Sequence, residues 1–195
     1  MTLFQLVSLA ISAIFVQNFV FAYTLGVDSF LAASSKRDTA LCMGLAVTFM
    51  MGLACVLAYP ITTFLLQPLG VEYMRTPVYF LMIAVLARLV EWLLKRMIPV
   101  LYETLGLYLP VVITNCAVLG VVLLNTQNKF GFAESAVYGV CSGLGFTLAI
   151  VLFASLRERL EFVECPEAFQ GIPIALVAAG LLAMACMGFS GLQIG

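Results

Sequence analysis

Cys116 is the residue of this chain whose type and surroundings most favour chemistry. It lies in the run Leu109–Gly120, where a proline, a Thr-Asn pair, the cysteine and a glycine interrupt an otherwise apolar stretch. Proline and glycine weaken a helix, and a polar side chain is costly at membrane depth unless it has a partner. A thiolate can bind iron, although a free cysteine also packs well as a small buried residue. The run therefore predicts an interrupted helix that lines a buried site.

The elements that must position Cys116 are transmembrane helices. The chain has 195 residues, of which 64% are hydrophobic and 10% are charged, and its mean hydropathy is +1.14. Soluble domains are nearer half apolar and a quarter charged, so the composition indicates an all-α, polytopic membrane protein. The net charge of −1 and the lack of histidine exclude the basic surface typical of nucleic-acid binding and remove the commonest metal ligand.

Apolar stretches of about the length that a bilayer requires, ~20 residues in a helix, recur along the chain. They predict a single membrane domain over residues 1–195 with six transmembrane helices: Leu3–Leu25, Thr39–Leu66, Val78–Leu94, Val100–Leu124, Phe132–Leu156 and Ile172–Phe189. The loops after the first, third and fifth stretches carry six Lys and Arg residues, and the other two loops carry two. By the positive-inside rule, both termini lie on the outer side of the membrane.

The two halves of the chain share a pattern of polar residues. Asn18 precedes Asp38 by nearly the same number of residues as Asn115 precedes Glu134, and each acidic residue opens a helix. Three helices in each half is an odd number, so the second half must be inverted relative to the first. We therefore predict two inverted three-helix repeats, covering about 1–98 and about 99–195.

Inverted repeats of this kind place a functional site near the midplane, at broken helices in matching positions. The matching positions are helix 1 near Asn18–Phe30 and helix 4 near Pro110–Gly120. We expect Asn18 and Asn115 to bond backbone groups that the breaks set free.

The other candidate residues have plainer interpretations. Arg88 and Glu91 are spaced for an ion pair within one helix. Four further cysteines lie in apolar helices without polar neighbours and are interpreted as packing residues: Cys42, Cys55, Cys141 and Cys186. No close cysteine pair exists, so an iron–sulfur cluster would have to be shared with a second protein chain.

Several motifs resemble the RnfA-type subunits of Rnf complexes, which are membrane ferredoxin–NAD oxidoreductases that translocate Na⁺ or H⁺. The similarity covers essentially the whole chain in order, and the stretches that carry it include Val16–Val20, Ser34–Lys36, Pro99–Tyr102, Thr114–Gly120, Leu156–Arg159 and Met187–Gly191. The resemblance implies an electron-transfer subunit of a redox-driven ion translocase in a bacterial or archaeal inner membrane, with no catalytic activity of its own. Its implied partners are a homologous RnfE-like subunit of opposite orientation and the Rnf subunits of the B, C, D and G types. The alternatives are a subunit of the related Na⁺-translocating NADH–quinone reductase and a metal-free transporter or scaffold on the same frame.

The resemblance also implies a cofactor, because two cysteines from each of the paired subunits hold one [2Fe–2S] cluster between them. Cys116 falls on the second family cysteine. The first normally stands in a Leu-Gly-x-Cys-x-Phe pattern, which here reads Leu25-Gly-Val-Asp28-Ser-Phe30. Asp28 therefore occupies the position of the other ligand. We interpret Asp28 as an oxygen ligand to iron. Two alternatives stay open. The cluster is held by another group or is absent from this chain, or Asp28 was introduced by engineering to perturb the cluster.

Overall fold

Helices α1 to α6 follow one another in the order that the apolar stretches predict. The computed structural model describes residues 3–27, 31, 34, 37–97, 115–160, 166 and 170–188, whose regular elements are all helical. Within these ranges the α-helices of nine residues or more are α1 Leu3–Ile11, α2 Arg37–Pro60, α3 Arg75–Met97, α4 Cys116–Gln127, α5 Phe132–Leu160 and α6 Ile172–Met187.

In the described part of the chain, three stretches are long and apolar enough to cross a membrane: Arg37–Leu66, Arg75–Leu93 and Phe132–Leu160. Leu6–Val16, Cys116–Gln127 and Ile172–Met187 are shorter apolar helices. The predicted class, an all-helical membrane protein, is confirmed by this composition and these spans.

Two helices end in widened turns that the sequence pattern did not predict. α1 continues as a π-helical stretch, Ser12–Val16, and α2 as another, Ile61–Leu66. The second stretch directly follows Pro60, which has no backbone N–H to continue the regular α-helical ladder. A last turn then closes at Gly70, whose φ of +66° is the left-handed conformation that glycine adopts without strain.

The antiparallel pair α2 and α5 forms the centre of the bundle. A Cβ added to Gly143 would lie 2.5 Å from Thr48 Cα, and one added to Gly44 would lie 2.7 Å from Thr147 Cγ2. The two threonine hydroxyls are 2.9 Å apart. Small residues let the two backbones approach this closely, which is how helices associate where lipid removes the usual hydrophobic drive.

The core lies where α2, α4 and α5 meet the segment that follows α1. Its largest fully buried side chains include Phe19, Tyr79, Tyr138, Phe146 and Phe153. The outer faces remain apolar: Phe80 and Leu81 of α3 are 66% and 68% exposed. Such faces are suited to contact with lipid, because soluble proteins rarely expose large contiguous apolar surfaces to water.

Candidate functional site

The first element of the site is the break that ends the first half-helix. After the π-helical stretch closes at Val16, Asn18 interrupts the helix with a side chain that is only 4% exposed. Its Nδ2 donates to the carbonyl of Gly145 in α5 at 2.8 Å, and its Oδ1 accepts the N–H of Val20 at 3.1 Å. The break is therefore tied to the bundle by an amide that satisfies freed backbone groups, as the sequence predicted.

The second element is the start of α4. Asn115 is 2% exposed and caps this helix, because its Oδ1 accepts the N–H of Ala117 at 2.9 Å. The helix begins at Cys116. Asn115 thus bonds a free backbone N–H, as predicted, at the start of α4. Residues 98–114, which include the predicted break at Pro110, lie outside the described part of the chain.

A hydrogen bond joins the turn after α1 to the start of α4. The backbone N–H of Gly26 donates to Cys116 Sγ at 3.0 Å, across 90 positions of sequence. Gly26 has φ +79°, and a Cβ there would lie 2.9 Å from Asn115 Oδ1 and 3.0 Å from Phe146 Cε2. Only glycine fits this turn, since both the backbone conformation and the surrounding atoms exclude a side chain.

A second contact between the breaks lies one helical turn further along α4. A Cβ added to Gly120 would overlap the side chain of Leu25, the residue before Gly26. Gly120 and Gly26 therefore fix how closely the turn after α1 approaches the beginning of α4.

The geometry gives the Cys116 sulfur a specific environment. Cys116 is exposed although its neighbours Asn115 and Ala117 are buried, so its side chain faces outward from the described chain. The sulfur lies at the N-terminus of α4, where the helix dipole favours negative charge. The Gly26 N–H adds one more donor to the sulfur. This arrangement presents the sulfur, with a backbone donor beside it, to a ligand or a partner at the protein surface.

One buried polar atom beside Cys116 has no partner among the described residues. The Asn115 Nδ2 is buried and makes no hydrogen bond, although the Oδ1 of the same amide is used by the helix cap. A buried donor without an acceptor is costly, about 1–3 kcal/mol. The start of α4 thus holds a spare donor close to the accessible sulfur.

The remaining candidate residues fall in three places. Asp28, the other predicted ligand, lies just outside the described residues, which resume at Leu31 after Val27. Arg88 Nη1 lies 3.0 Å from Glu91 Oε2, which confirms the predicted ion pair. The four cysteines of the apolar helices are buried or partly buried, in agreement with packing roles: Cys42, Cys55, Cys141 and Cys186. Within the described ranges, no three His, Cys, Asp or Glu side chains are grouped to hold a metal ion.

The sequence interpretation did not identify two residues that shape the site. Gly26 was noted only as part of a motif, and Gly145 was not singled out. A glycine inside an apolar segment signals either a turn or a close backbone approach. Gly26 forms a turn. Gly145 permits a close backbone approach, because a Cβ added to Gly145 would lie 2.9 Å from the Ile14 carbonyl oxygen.

The fold and the site together define an integral membrane protein in which the turn after α1 and the start of α4 meet at an accessible cysteine. A family model described as "Rnf-Nqr subunit, membrane protein" matches residues 6–193 of the chain. The chain therefore belongs to the Rnf-Nqr family of membrane subunits.

Individual relatives are similar over nearly their full length. The chain is 51% identical over 190 residues to the A-type subunit of the Na(+)-translocating ferredoxin:NAD(+) oxidoreductase complex of Acetobacterium woodii, covering 97% of this chain and 99% of that protein. It is 47% identical over 184 residues to the A-type subunit of the ion-translocating oxidoreductase complex of Edwardsiella ictaluri, covering 94% and 95%. The corresponding protein of Pseudoalteromonas translucida is also 47% identical, over 188 residues, covering 96% and 97%. These relatives confirm the resemblance to A-type Rnf subunits that the sequence motifs indicated.

Proposed function

We propose that this chain is the A-type membrane subunit of an ion-translocating ferredoxin:NAD⁺ oxidoreductase complex and that it passes electrons through the membrane. The observation that carries the proposal is the presentation of Cys116. Its sulfur lies at the start of α4, accepts the Gly26 N–H at 3.0 Å, and remains exposed beside buried neighbours. A packing cysteine would not need two broken helices and a left-handed glycine to hold it at a surface.

The proposed architecture is a single domain, 1–195, of six transmembrane helices in two inverted repeats of about 1–98 and 99–195. Paired features support this layout. Asn18 and Asn115 each accept the N–H of the residue two positions later. The hydroxyls of Thr48 and Thr147 each lie within hydrogen-bond distance of the carbonyl four residues earlier, and the two hydroxyl oxygens are 2.9 Å apart. Repeats related by a two-fold axis would produce such matching contacts.

The proposed orientation places the loops after helices 1 and 5 on the cytoplasmic side of the inner membrane and both termini on the outer side. Two contacts support a common side for those loops. Arg157 at the end of α5 donates to the Leu31 carbonyl at 2.9 Å and to Ser34 Oγ at 3.1 Å. Arg37 also pairs with Glu158. Arg37 and Arg157, one from each of these two regions, thus contact the opposite region, which supports a common side for both loops.

The proposed cofactor is a [2Fe–2S] cluster shared with a homologous subunit of opposite orientation, with Cys116 and Asp28 as the ligands from this chain. The described residues fit such a group, because Cys116 offers an accessible sulfur at a positive helix end with an unpartnered amide donor beside it. The cluster, when bound, would accept and release one electron at a time. Cys116 and Asp28 are half of the ligands of such a cluster, so the second subunit must supply the other two ligands.

The residues of this chain have separate proposed tasks around that cysteine. The Gly26 N–H and the start of α4 stabilise negative charge on the Cys116 sulfur. Asn115 holds the first turn of α4 through its cap and offers Nδ2 as a further donor. Phe146 and Leu25 close the apolar side of the turn and keep water from the backbone.

The experiment that tests the function compares Cys116→Ser with Cys42→Ser in the complete complex, reconstituted in proteoliposomes. Cys42 is a partly buried helix residue without a polar partner at the site, so it is the matched control. Ferredoxin-dependent NAD⁺ reduction and the coupled ion uptake should be lost in Cys116→Ser and retained in Cys42→Ser. Equal activity of the two variants would remove Cys116 from the electron path and favour a metal-free transporter or scaffold. Quinone reduction in place of NAD⁺ reduction would favour the NADH–quinone reductase alternative.

The ligand role of Asp28 has its own test. Changing Asp28→Cys would give this chain two thiolates, as in the usual family pattern. Thiolate is a softer donor than carboxylate, so the spectrum and reduction potential of the complex should both change. An unaltered spectrum in Asp28→Cys would show that residue 28 does not bind the cluster.

A further inference from the structure

A polar cavity lies away from Cys116, at the opposite end of α4. It has a volume of about 400 Å³ and is enclosed by the end of the α2 extension, the beginning of α3, the end of α4 and the beginning of α5. Asn125, which lines it, follows Cys116 by nine residues on the same helix, or about 14 Å at 1.5 Å per residue. The cavity is within the range of small-ligand sites, roughly 300–1,000 Å³.

The mouth of the cavity is positively charged. Arg75 and Lys129 line it, and no carboxylate does so among the lining residues that the structure describes. Glu134, close by in sequence, is committed to the Gly131 N–H at 3.0 Å. Arg75 and Lys129 make no ion pair with a carboxylate among the described side chains, and two cations that line one cavity attract an anion and oppose a metal cation.

The deep wall of the cavity is rich in acceptors. Asn125 is 3% exposed, and its Oδ1 is buried without a hydrogen-bond donor among the described residues. The hydroxyl of Tyr79, which is fully buried, lies 2.6 Å from Thr62 Oγ1 and 3.0 Å from Thr126 Oγ1.

The hydroxyl chain formed by Thr62, Tyr79 and Thr126 also has acceptor capacity to spare. The outer hydroxyls can donate to the carbonyls of Ala58 and Val122, at 2.7 Å and 2.9 Å. Each hydroxyl has one proton, so these four contacts share three protons. One contact therefore always lacks a proton, and an oxygen there can accept a hydrogen bond from outside.

We propose that this cavity binds a glycerol phosphate group, with the phosphate at Arg75 and Lys129 and the hydroxyls donating to Asn125 and the hydroxyl chain. The phosphate oxygens accept charge-assisted hydrogen bonds from the two cations, and the glycerol hydroxyls supply the donors that the deep wall lacks. The group is carried in the bilayer by phosphatidylglycerol and in solution by free glycerol phosphate. The headgroup is the source that the position favours, because the cavity opens where helices end and Phe64 and Tyr73 are 79% and 78% exposed beside it. Exposed aromatic rings at a helix end are typical of the membrane interface, where acyl chains meet headgroups.

The test is native mass spectrometry of the purified complex after exchange into micelles that contain phosphatidylglycerol, phosphatidic acid, phosphatidylethanolamine or phosphatidylcholine. The wild-type complex should retain phosphatidylglycerol in preference to the other three lipids. The double variant Arg75→Gln, Lys129→Gln removes two charge-assisted contacts, so its apparent affinity should fall about tenfold or more. The control Arg96→Gln, Arg159→Gln removes the same charge from the other ends of α3 and α5 and should leave that affinity unchanged.

The deep wall is tested separately by Asn125→Leu. This variant should lose the preference for phosphatidylglycerol over phosphatidic acid, which has no glycerol headgroup, and should keep its affinity for phosphatidic acid. Equal retention of phosphatidylglycerol by the wild type and the Arg75, Lys129 double variant would overturn the proposal. Retention of phosphatidylethanolamine as strong as that of phosphatidylglycerol would overturn the glycerol assignment, and saturable binding of Na⁺ that Asn125→Leu abolishes would show a cation site instead.

A last arm distinguishes the two sources of the group. Soluble glycerol 3-phosphate is titrated into the delipidated complex, and thermal stability is measured for the wild type and the double variant. We expect no protection at concentrations where phosphatidylglycerol saturates the cavity, since the headgroup is held there by its acyl chains. Protection of the wild type alone by the soluble compound would assign the site to a solution ligand and overturn the lipid source.

Discussion

Replacing Gly26 with alanine perturbs the contact on which the candidate site depends. Gly26 has φ +79°, and a residue with a Cβ in the left-handed region costs roughly 1–2 kcal/mol. The new Cβ would also lie 2.9 Å from Asn115 Oδ1, 3.0 Å from Phe146 Cε2 and 3.2 Å from Ala117 Cβ. These atoms are fixed by the α4 cap and the packed core, so overpacking adds about 1–3 kcal/mol. The expected total is about 2–5 kcal/mol of lost stability.

Gly70→Ala is the matched control for the conformational cost of placing a residue with a Cβ in the left-handed region. Gly70 has φ +66°, and a Cβ added there would meet no atom within 4 Å among the described residues, so its substitution carries only the conformational cost. The difference between the two variants is then about 1–3 kcal/mol, and each 1.4 kcal/mol is about a factor of ten in the unfolding constant. The assay is an SDS titration of the purified complex, scored by release of this chain. A midpoint for Gly26→Ala equal to that of Gly70→Ala would refute the tight contact between the two helix breaks.

Other substitutions probe the packing around the site. Gly143→Ala should destabilise the complex by about 1–3 kcal/mol, because its Cβ would lie 2.5 Å from the Thr48 backbone; the same SDS titration checks this, and a wild-type midpoint would contradict it. Gly180→Ala, with no described atom within 4 Å, should instead stabilise α6 by up to about 1 kcal/mol, and a lower midpoint would show a neighbour there. Asn18→Leu removes the 2.8 Å bond to the Gly145 carbonyl and should cost about 1–3 kcal/mol; hydrogen exchange at Val20 should rise with it, and unchanged exchange would count against the bond.

The sequence predicted the parts of the fold that depend on local pattern. The apolar stretches predicted helices close to α2, α3, α5 and α6, since their length and composition are local properties. The bonding of free backbone N–H groups by Asn18 and Asn115 agrees with the sequence, because the short amide side chain of asparagine readily bonds the nearby backbone. The ion pair of Arg88 and Glu91 followed from helical spacing alone.

The features that the sequence missed depend on the fold as a whole. The hydrogen bond from Gly26 to Cys116 joins residues 90 positions apart, so no local pattern contains it. The cavity lined by Arg75 and Lys129 likewise brings together the ends of separate helices. The π-helical stretch Ile61–Leu66 is partly predictable from the sequence. Pro60 indicates where the regular α-helix is disturbed, but it does not determine that the following turns are π-helical.

The most direct test of the central claim is the EPR spectrum of the reduced, purified complex. We predict that the signal of a [2Fe–2S] cluster is present in the wild type and in Cys42→Ser. In Cys116→Ser it should be lost or shifted to that of a cluster with one more oxygen ligand, because serine replaces a sulfur donor with oxygen. An identical spectrum in the wild type and Cys116→Ser would contradict the claim that Cys116 holds the cluster.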